Sequence, residues 1–396
     1  MLADGGGTDK VTAVDEHARS GILCTAQVPW TNTSPATQIK KDLGTMPFSV
    51  VALFITPRAD FAGVVAEAER CFPDTDVLAC TTAGEIGSTG YDEGLIVAIG
   101  FPKAGFCTKS LLIEGIQDLN AQPVIDRIAL ERIALQDRNA DMENGFAFLV
   151  VDGLSLSEDT LAATIAPALR EMPIFGGSAG DGIDFAETLV ALNGKIARNA
   201  AVLTLMRSRH KARVFSLDHL VPTERQMVVT EADPDRRIVK SINAEPAARE
   251  YARIVGKDPE QLDRFTFASH PVVVRIGGTH HVRAIQQVND AGELVFFSAI
   301  DEGMVLTVAK PDNMAEHLRR KMEELSEDGP PANIIGCDCI LRRIEAEQTQ
   351  MSRELSEILS SHRVTGFSTY GEQIGPLHVN HTMSGVAFYH TEPTSE

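Results

Sequence analysis

The stretch FGGSAGDG, Phe175 to Gly182, contains a literal G-x-S-x-G with Ser178 at its centre. In a hydrolase that pattern exposes a serine nucleophile on a sharp turn from strand into helix, with an acid and a histidine later in the chain. The strand side is present in MPIF. The helix side is absent, because DGIDFAETLVALNG runs through another glycine into a hairpin. Asp218 and His219 follow in the right order, but adjacent residues usually point different ways. A structural turn explains Ser178 better than a nucleophile does. The glycines also fail as a phosphate cradle, since a carboxylate follows the key glycine and no G-x-x-x-x-G-K-[ST] occurs.

Metal chemistry has two candidates. Cys337-Asp338-Cys339 and the pair His378 and His381 offer four ligands, but without C-x-x-C or H-E-x-x-H spacing. Two small apolar cysteines on one face of the third buried strand account for Cys337 and Cys339 better than a metal site does. Covalent c-type haem is excluded by the lack of C-x-x-C-H. Non-covalent haem needs only one axial ligand in an apolar pocket. His219, in RVFSLDHLVPTERQMVV, has the most suggestive setting of the eleven histidines. From the chain alone, a satisfied structural histidine is the simpler reading.

The elements that position these residues follow from an internal repeat. FSVVALFITPR, a helical stretch and DVLACTTAGEIG form the first copy. GFAFLVVDGLS, a helical stretch and MPIFGGSAGDG form the second. ANIIGCDCILRR, one long helical stretch to about Ser361 and RVTGFSTYGEQIG form the third. Each reads as a right-handed βαβ crossover with buried parallel strands. Each ends in [ST]-[AY]-G-[DE]: Thr82 to Glu85 around Gly84, Ser178 to Asp181 around Gly180, and Thr369 to Glu372 around Gly371. Glycine permits a tight backbone approach there, and hydroxyl and carboxylate can satisfy nearby N–H groups. Between the crossovers the texture is antiparallel. Asn193-Gly194 and Asp290-Ala291-Gly292 mark turns, and PAAREYARIV is a short helix opened by Pro246 and stopped by Gly256. The expected fold class is mixed α/β, with βαβ crossovers combined with antiparallel hairpins, in two domains.

With 396 residues, 43% hydrophobic and 23% charged, the composition is that of a folded globular protein, and the length suggests two domains. A formal charge of −19 disfavours duplex nucleic acid and anionic membranes. Residues 1–20 lack the basic and apolar regions of a signal peptide and read as a flexible tail. The apolar runs are too short to span a bilayer. Six scattered cysteines suggest a reducing, cytoplasmic setting.

ACTTAGEIG, IFGGSAGDG, INAEPAAREY, VVVRI and GFSTYGEQIG followed by NHT resemble the FIST family of bacterial sensors, over nearly the whole chain from Cys24 to Tyr389. The resemblance implies a FIST N-type domain over 21–225 and a FIST C-type domain over 226–393. It also implies ligand sensing with relay to a partner, rather than catalysis. The segment DHLVPTERQMVVTEADPDRRIVKSINAEPAAREYARIVG is similar to the haem-binding, nitric-oxide-sensing (NosP-type) branch. That similarity implies haem b with His219 as proximal ligand and nitric oxide as input. The implied partner is a sensor histidine kinase or a diguanylate cyclase or phosphodiesterase. The alternative is a FIST receptor for a small polar metabolite such as an amino acid. There Glu85, Asp181 and Glu372 would face an ammonium group and Arg275 would pair a carboxylate, with Thr82, Gly84, Ser178, Gly180, Thr369 and Gly371 lining the pocket. A third class, an enzyme acting through Ser178 or a cysteine-held metal, is the least supported.

Overall fold

All three expected crossovers form, and each sits in its own sheet. The computed structural model describes residues 21–276 and 278–390; the segment read as a flexible tail lies outside them. The first unit runs β1 (Cys24–Pro29), α1 (Pro35–Leu43), β2 (Phe48–Ile55), α2 (Phe61–Cys71), β3 (Asp76–Thr81), a hairpin of β4 (Glu85–Gly87) and β5 (Gly90–Asp92), then β6 (Leu95–Pro102). The second repeats that order with β7 (Phe106–Glu114), α3 (Ala121–Arg138), β8 (Asn144–Val151), α4 (Glu158–Leu169), β9 (Ile174–Ser178), β10 (Val190–Leu192), β11 (Lys195–Ala197) and β12 (Ala200–Ser208).

The third unit opens with β13 (Lys211–Leu217) and is then interrupted. The insertion contains β14 (Leu220–Asp233), β15 (Ile238–Ile242), β16 (Glu245–Pro246), α5 (Ala247–Val255) and α6 (Arg264–Ser269). It continues through β17 (Val272–Ile276), β18 (Thr279–Arg283), β19 (Ile285–Val288), β20 (Leu294–Phe296) and β21 (Val305–Pro311). These strands make a separate eight-stranded antiparallel sheet. The unit resumes with α7 (Met314–Leu325), β22 (Asn333–Cys339), α8 (Ile340–Gln348), α9 (Ser352–Ser361), β23 (Val364–Thr369), β24 (Glu372–Ile374), β25 (Leu377–Val379) and β26 (Met383–Tyr389).

Each unit's sheet has a parallel pair at its centre: β2 with β3, β8 with β9, and β22 with β23. An antiparallel strand and the unit's first strand flank that pair on one side. The other side is completed by a hairpin from a different unit. The sheet orders are β1-β6-β2-β3-β10-β11, β7-β12-β8-β9-β24-β25 and β13-β26-β22-β23-β4-β5. The hairpins therefore pass around a closed ring, first unit to third, third to second, second to first.

The near-continuous apolar runs of the crossover strands now have a cause, because both of their faces are buried. Their inner faces meet in a common core. There Phe54 stacks on Phe367 at 4.4 Å, Phe148 stacks on Phe175 at 4.8 Å, and Phe54 meets Phe148 edge-on at 6.3 Å. Helices cover the outer faces, as Val64 and Val65 of α2 and Ile165 and Leu169 of α4 do.

Local signals held where turn chemistry was explicit. Asn193 and Gly194 both take positive φ and close the β10–β11 hairpin, and Gly256 caps α5 at φ 77°. The single long helix expected up to Ser361 is instead two. Gln350 adopts φ 59° between α8 and α9, and Thr349 Oγ1 donates to the carbonyl of Glu345. The break lets α8 bury Arg342 and Glu345, while α9 docks against the β4–β5 hairpin through Ser356 and Tyr91.

Candidate functional site

The three signature turns meet one another at the ends of the crossover strands. Ala83 N–H donates to the carbonyl of Ser368 at 2.9 Å, and Ser368 N–H to that of Gly84 at 2.7 Å. Ser178 N–H donates to Gly371 at 2.8 Å, and Tyr370 N–H to Ser178 at 3.2 Å. Gly180 and Gly182 N–H donate to Thr81 and Thr82, each at 3.2 Å. First turn to third, third to second, second to first, the contacts close a ring of backbone hydrogen bonds.

That packing commits the side chains expected to face a ligand. Thr82 Oγ1 donates to Glu85 at 2.5 Å, and Leu95 N–H donates to the other oxygen at 3.0 Å. Thr369 donates to Glu372, as does Thr382 Oγ1 at 2.5 Å. Asp181 accepts N–H groups of Phe185, Ala186 and Glu187 at 2.7–2.9 Å and the Tyr370 hydroxyl. Burial raises the pKa of Glu85, and it pushes Glu372 up to about 8 despite the hydroxyl donors. These carboxylates anchor loops and present no free oxygen pair to an ammonium group. Ser178 is fully buried, and its Oγ accepts from Gln373 Nε2 at 3.0 Å, with no histidine hydrogen-bonded to it among the described residues. Arg275 lies elsewhere, exposed on β17 opposite His280 of β18.

A cleft of about 380 Å³ lies beside this interlocked three-turn knot, against its first and second turns. Its floor includes Gly84, Glu85, Asp181 and Gly182. Thr56 and Arg58 enter from the loop after β2, Arg264 and Phe265 from α6, and Arg343 and Glu347 from α8. Arg343 is only 8% exposed; it donates to the carbonyl of Asp92 at 2.9 Å and to Glu93 at 3.2 Å. Gly84 sits at φ 131°, and a Cβ there would collide with the Arg343 guanidinium. Here the signature glycine has a specific task, because its bare backbone lets Arg343 lie across the turn. Arg58 pairs Glu93 at 3.7 Å, and Arg264 makes no ion pair among the described residues. The cleft thus presents three guanidinium groups and several carboxylates around a partly apolar wall.

The opposite face of α8 carries a buried ionic network. Arg342 Nε donates to Asp338 at 2.7 Å, and its Nη1 donates to His219 Nδ1 at 2.9 Å. His219 Nε2 donates to Glu345 at 2.9 Å, and His381 Nε2 does so at 2.7 Å. Burial pushes Glu345 up, but its bonds to the two histidines win and hold it at about 2. Burial lowers the pKa of His219. Arginine has no acceptor, so Nδ1 of His219 must be the unprotonated nitrogen and Nε2 must carry the proton.

That tautomer decides whether a prosthetic iron fits. A haem ligand needs an unprotonated ring nitrogen facing open space. Here one nitrogen is covered by a guanidinium, the other is protonated toward Glu345, and the side chain has 0% exposure. The residues around His219 do not fit haem b in this arrangement. The satisfied structural histidine, the simpler reading from the chain alone, matches the geometry. His219, Glu345 and His381 also have the composition of a metal triad. The same Arg342 contact disfavours it, because coordination through Nε2 would put the proton on Nδ1 against a donor. Cys337 and Cys339 are buried in β22, their thiols raised well above the usual range by desolvation, and among the described residues they form no metal-ligand cluster with the His378 and His381 rings.

Sequence reasoning missed Arg343, Arg264, Glu93 and Glu347 at the cleft, and Arg342 and Glu345 behind it; His381 was singled out only as a candidate metal ligand. One signal was available: ILRRIEAEQ crowds two arginines and two glutamates into one short helix directly after the apolar strand, and the fold buries Ile340 to Ala346 on every side. A helix buried all round must pair its charges.

Residues 49–245 match the FIST N domain family and residues 247–375 match the FIST C domain family. No curated protein matches the chain. FIST domains are sensor domains of signal transduction.

Proposed function

For a chain that belongs to the FIST family, we propose a sensor whose input is a small zwitterionic metabolite, such as an amino acid, held in the cleft beside the three-turn knot. One observation carries this reading. The cleft is walled by segments of all three units and by α6 of the inserted sheet, with guanidinium and carboxylate groups both at hand. A zwitterion offers each a partner, its carboxylate to Arg343 and Arg264 and its ammonium to Glu93, Glu347 or Asp184.

The route outward runs through α8. Its cleft face carries Arg343 and Glu347, and its buried face grips His219, two residues after β13 and one before β14. A ligand pulling on Arg343 acts on the joint where the inserted sheet leaves the third unit. A signal requires two arrangements of that joint with different ligand affinity. The downstream partner in this reading is of the class implied by the sequence resemblance, a sensor histidine kinase or a cyclic-di-GMP cyclase or phosphodiesterase. A nitric-oxide input would need His219 to release Arg342 or Glu345.

The test is a thermal-shift and calorimetric screen of the twenty amino acids, with haem as a separate arm. At least one amino acid should raise Tm by several degrees, since ligand at a hundredfold excess over Kd stabilises by about 2.7 kcal/mol. Arg343→Met should abolish that shift. No shift with any amino acid, or an unchanged shift in both Arg343→Met and Arg264→Ala, would overturn the proposal.

A further inference from the structure

A second cleft, of about 460 Å³, lies on the second unit, away from the three-turn knot. It is bounded by α3, the loop before β8, the end of α4 and β12, and three arginines line it: Arg132, Arg170 and Arg207. None of the three forms an ion pair within 4.0 Å among the described residues. The neighbouring cations Lys109 and Arg209 are paired, with Glu131 and Asp141 respectively. Glu143 and Glu171 stand exposed at the rim without closing on the guanidinium groups.

The arginines are also held in place. Arg132 Nε donates to the carbonyl of Ala168 at 3.0 Å, which fixes its guanidinium over the end of α4. Arg207 lies opposite Gly145 in the β8–β12 register, and a Cβ on Gly145 would stand 2.8 Å from its Nη1. The glycine thus opens the strand surface for the guanidinium. Arg207 Nε is buried and has no hydrogen-bond partner among the described residues, a cost that a bound acceptor would remove. Arg170, directly after α4, takes φ 54°, a conformation disfavoured for a residue with a side chain. Strain of this kind is often kept where a site needs it.

We infer that this cleft is a second binding site, for the phosphate group of a small molecule. Three guanidinium groups supply a planar fork each, and a phosphate dianion supplies three oxygens to accept from them. The turn carboxylates that exclude phosphate from the signature glycines have no counterpart touching these arginines. This site rests on other residues than the proposed amino-acid cleft and stands or falls separately.

The test is a 31P NMR titration of the full chain in phosphate-free buffer with inorganic phosphate and with O-phosphoserine, and with succinate as competitor. Saturable binding with Kd on the order of 1 mM or tighter is expected. Arg207→Gln should weaken it by about tenfold or more, and Arg207→Lys should restore part of the loss. Arg170→Gln, at the exposed mouth, provides a second variant that leaves the strand packing intact. Tighter binding of the monoester assigns the site to an esterified metabolite, and equal binding assigns it to free phosphate; both support the inference. No saturable binding of either phosphate, stronger binding of succinate, or wild-type affinity in folded Arg207→Gln and Arg170→Gln would overturn it.

Discussion

Arg342 donates to Nδ1 of His219 across 2.9 Å, while Nε2 of the same ring faces Glu345 at 2.9 Å. One cation therefore fixes the tautomer of a fully buried imidazole and shares in neutralising Asp338, which it also contacts. Long-range 1H–15N correlation should show His219 with an unprotonated Nδ1 and a protonated Nε2. Arg342→Met leaves Asp338 buried without its cation, and breaking a buried pair in this way costs about 3–5 kcal/mol. Urea denaturation should register that loss. A loss under 1 kcal/mol would mean that the network is hydrated and loosely held. Haem titration should give no His219-dependent Soret band.

Two glycines two residues apart, Gly180 and Gly182, should behave differently when a methyl group is added. A Cβ on Gly180 would lie 2.7 Å from the Ala83 Cβ and 2.9 Å from its backbone nitrogen, and that backbone is tied into the knot. A Cβ on Gly182 would meet nothing within 4 Å, and its only difficulty is φ 79°. Gly180→Ala should cost about 1–3 kcal/mol by overpacking, and Gly182→Ala about 1 kcal/mol by backbone strain. Comparison of their denaturation midpoints measures how rigidly the turns interlock. A cost for Gly180→Ala no greater than for Gly182→Ala would show that the first turn moves aside.

The three crossovers and their signature turns were legible because each carries its own local code: a strand-length apolar run, a helical period and a glycine flanked by hydroxyl and carboxylate. The hairpin exchange was not legible. Glu85 to Asp92 pairs with β23, some 280 residues later in the chain, and nothing in its own residues names that partner. The carboxylates misled for the same reason. Asp181 is an acidic residue in a loop, which usually means solvent, and only the folded chain brings Phe185, Ala186, Glu187 and Tyr370 to it. His219 was legible as a structural histidine from its own surroundings, and the resemblance of one segment pointed away from that reading.

Ser178 should be inert to chemistry and modest in stability. Its side chain is fully buried, and its Oγ serves as an acceptor for Gln373. Ser178→Ala removes one hydrogen bond and should cost about 1 kcal/mol, read from the denaturation midpoint. A fluorophosphonate probe should leave the folded wild-type protein unlabelled at this residue, as shown by peptide mass mapping. Labelling at Ser178 would restore the nucleophile reading of G-x-S-x-G.

Glu372 gives the protein a pH dependence that can be separated from its other buried groups. Its carboxyl is fully buried and titrates at about 8 in the fold, against 4.5 for the ordinary group. Between those values the folded chain holds a proton that the unfolded chain has released, so stability falls as pH rises from 4.5 and levels off above 8. The slope from this one group reaches about 1.4 kcal/mol per pH unit. Glu85, also raised by burial, acts in the same direction above the ordinary carboxylate value, so the Glu372 share is isolated by its own variant. His219, lowered by burial, costs stability only below the ordinary histidine value, and Glu345, held at about 2, contributes stability that is lost only as pH falls through the carboxylate range. Denaturation of wild type between pH 7 and 8 should therefore show falling stability, and Glu372→Gln should flatten the curve by mimicking the neutral carboxyl. A wild-type curve already flat across that window, or one equally steep in the variant, would mean that Glu372 is ionised in the folded protein.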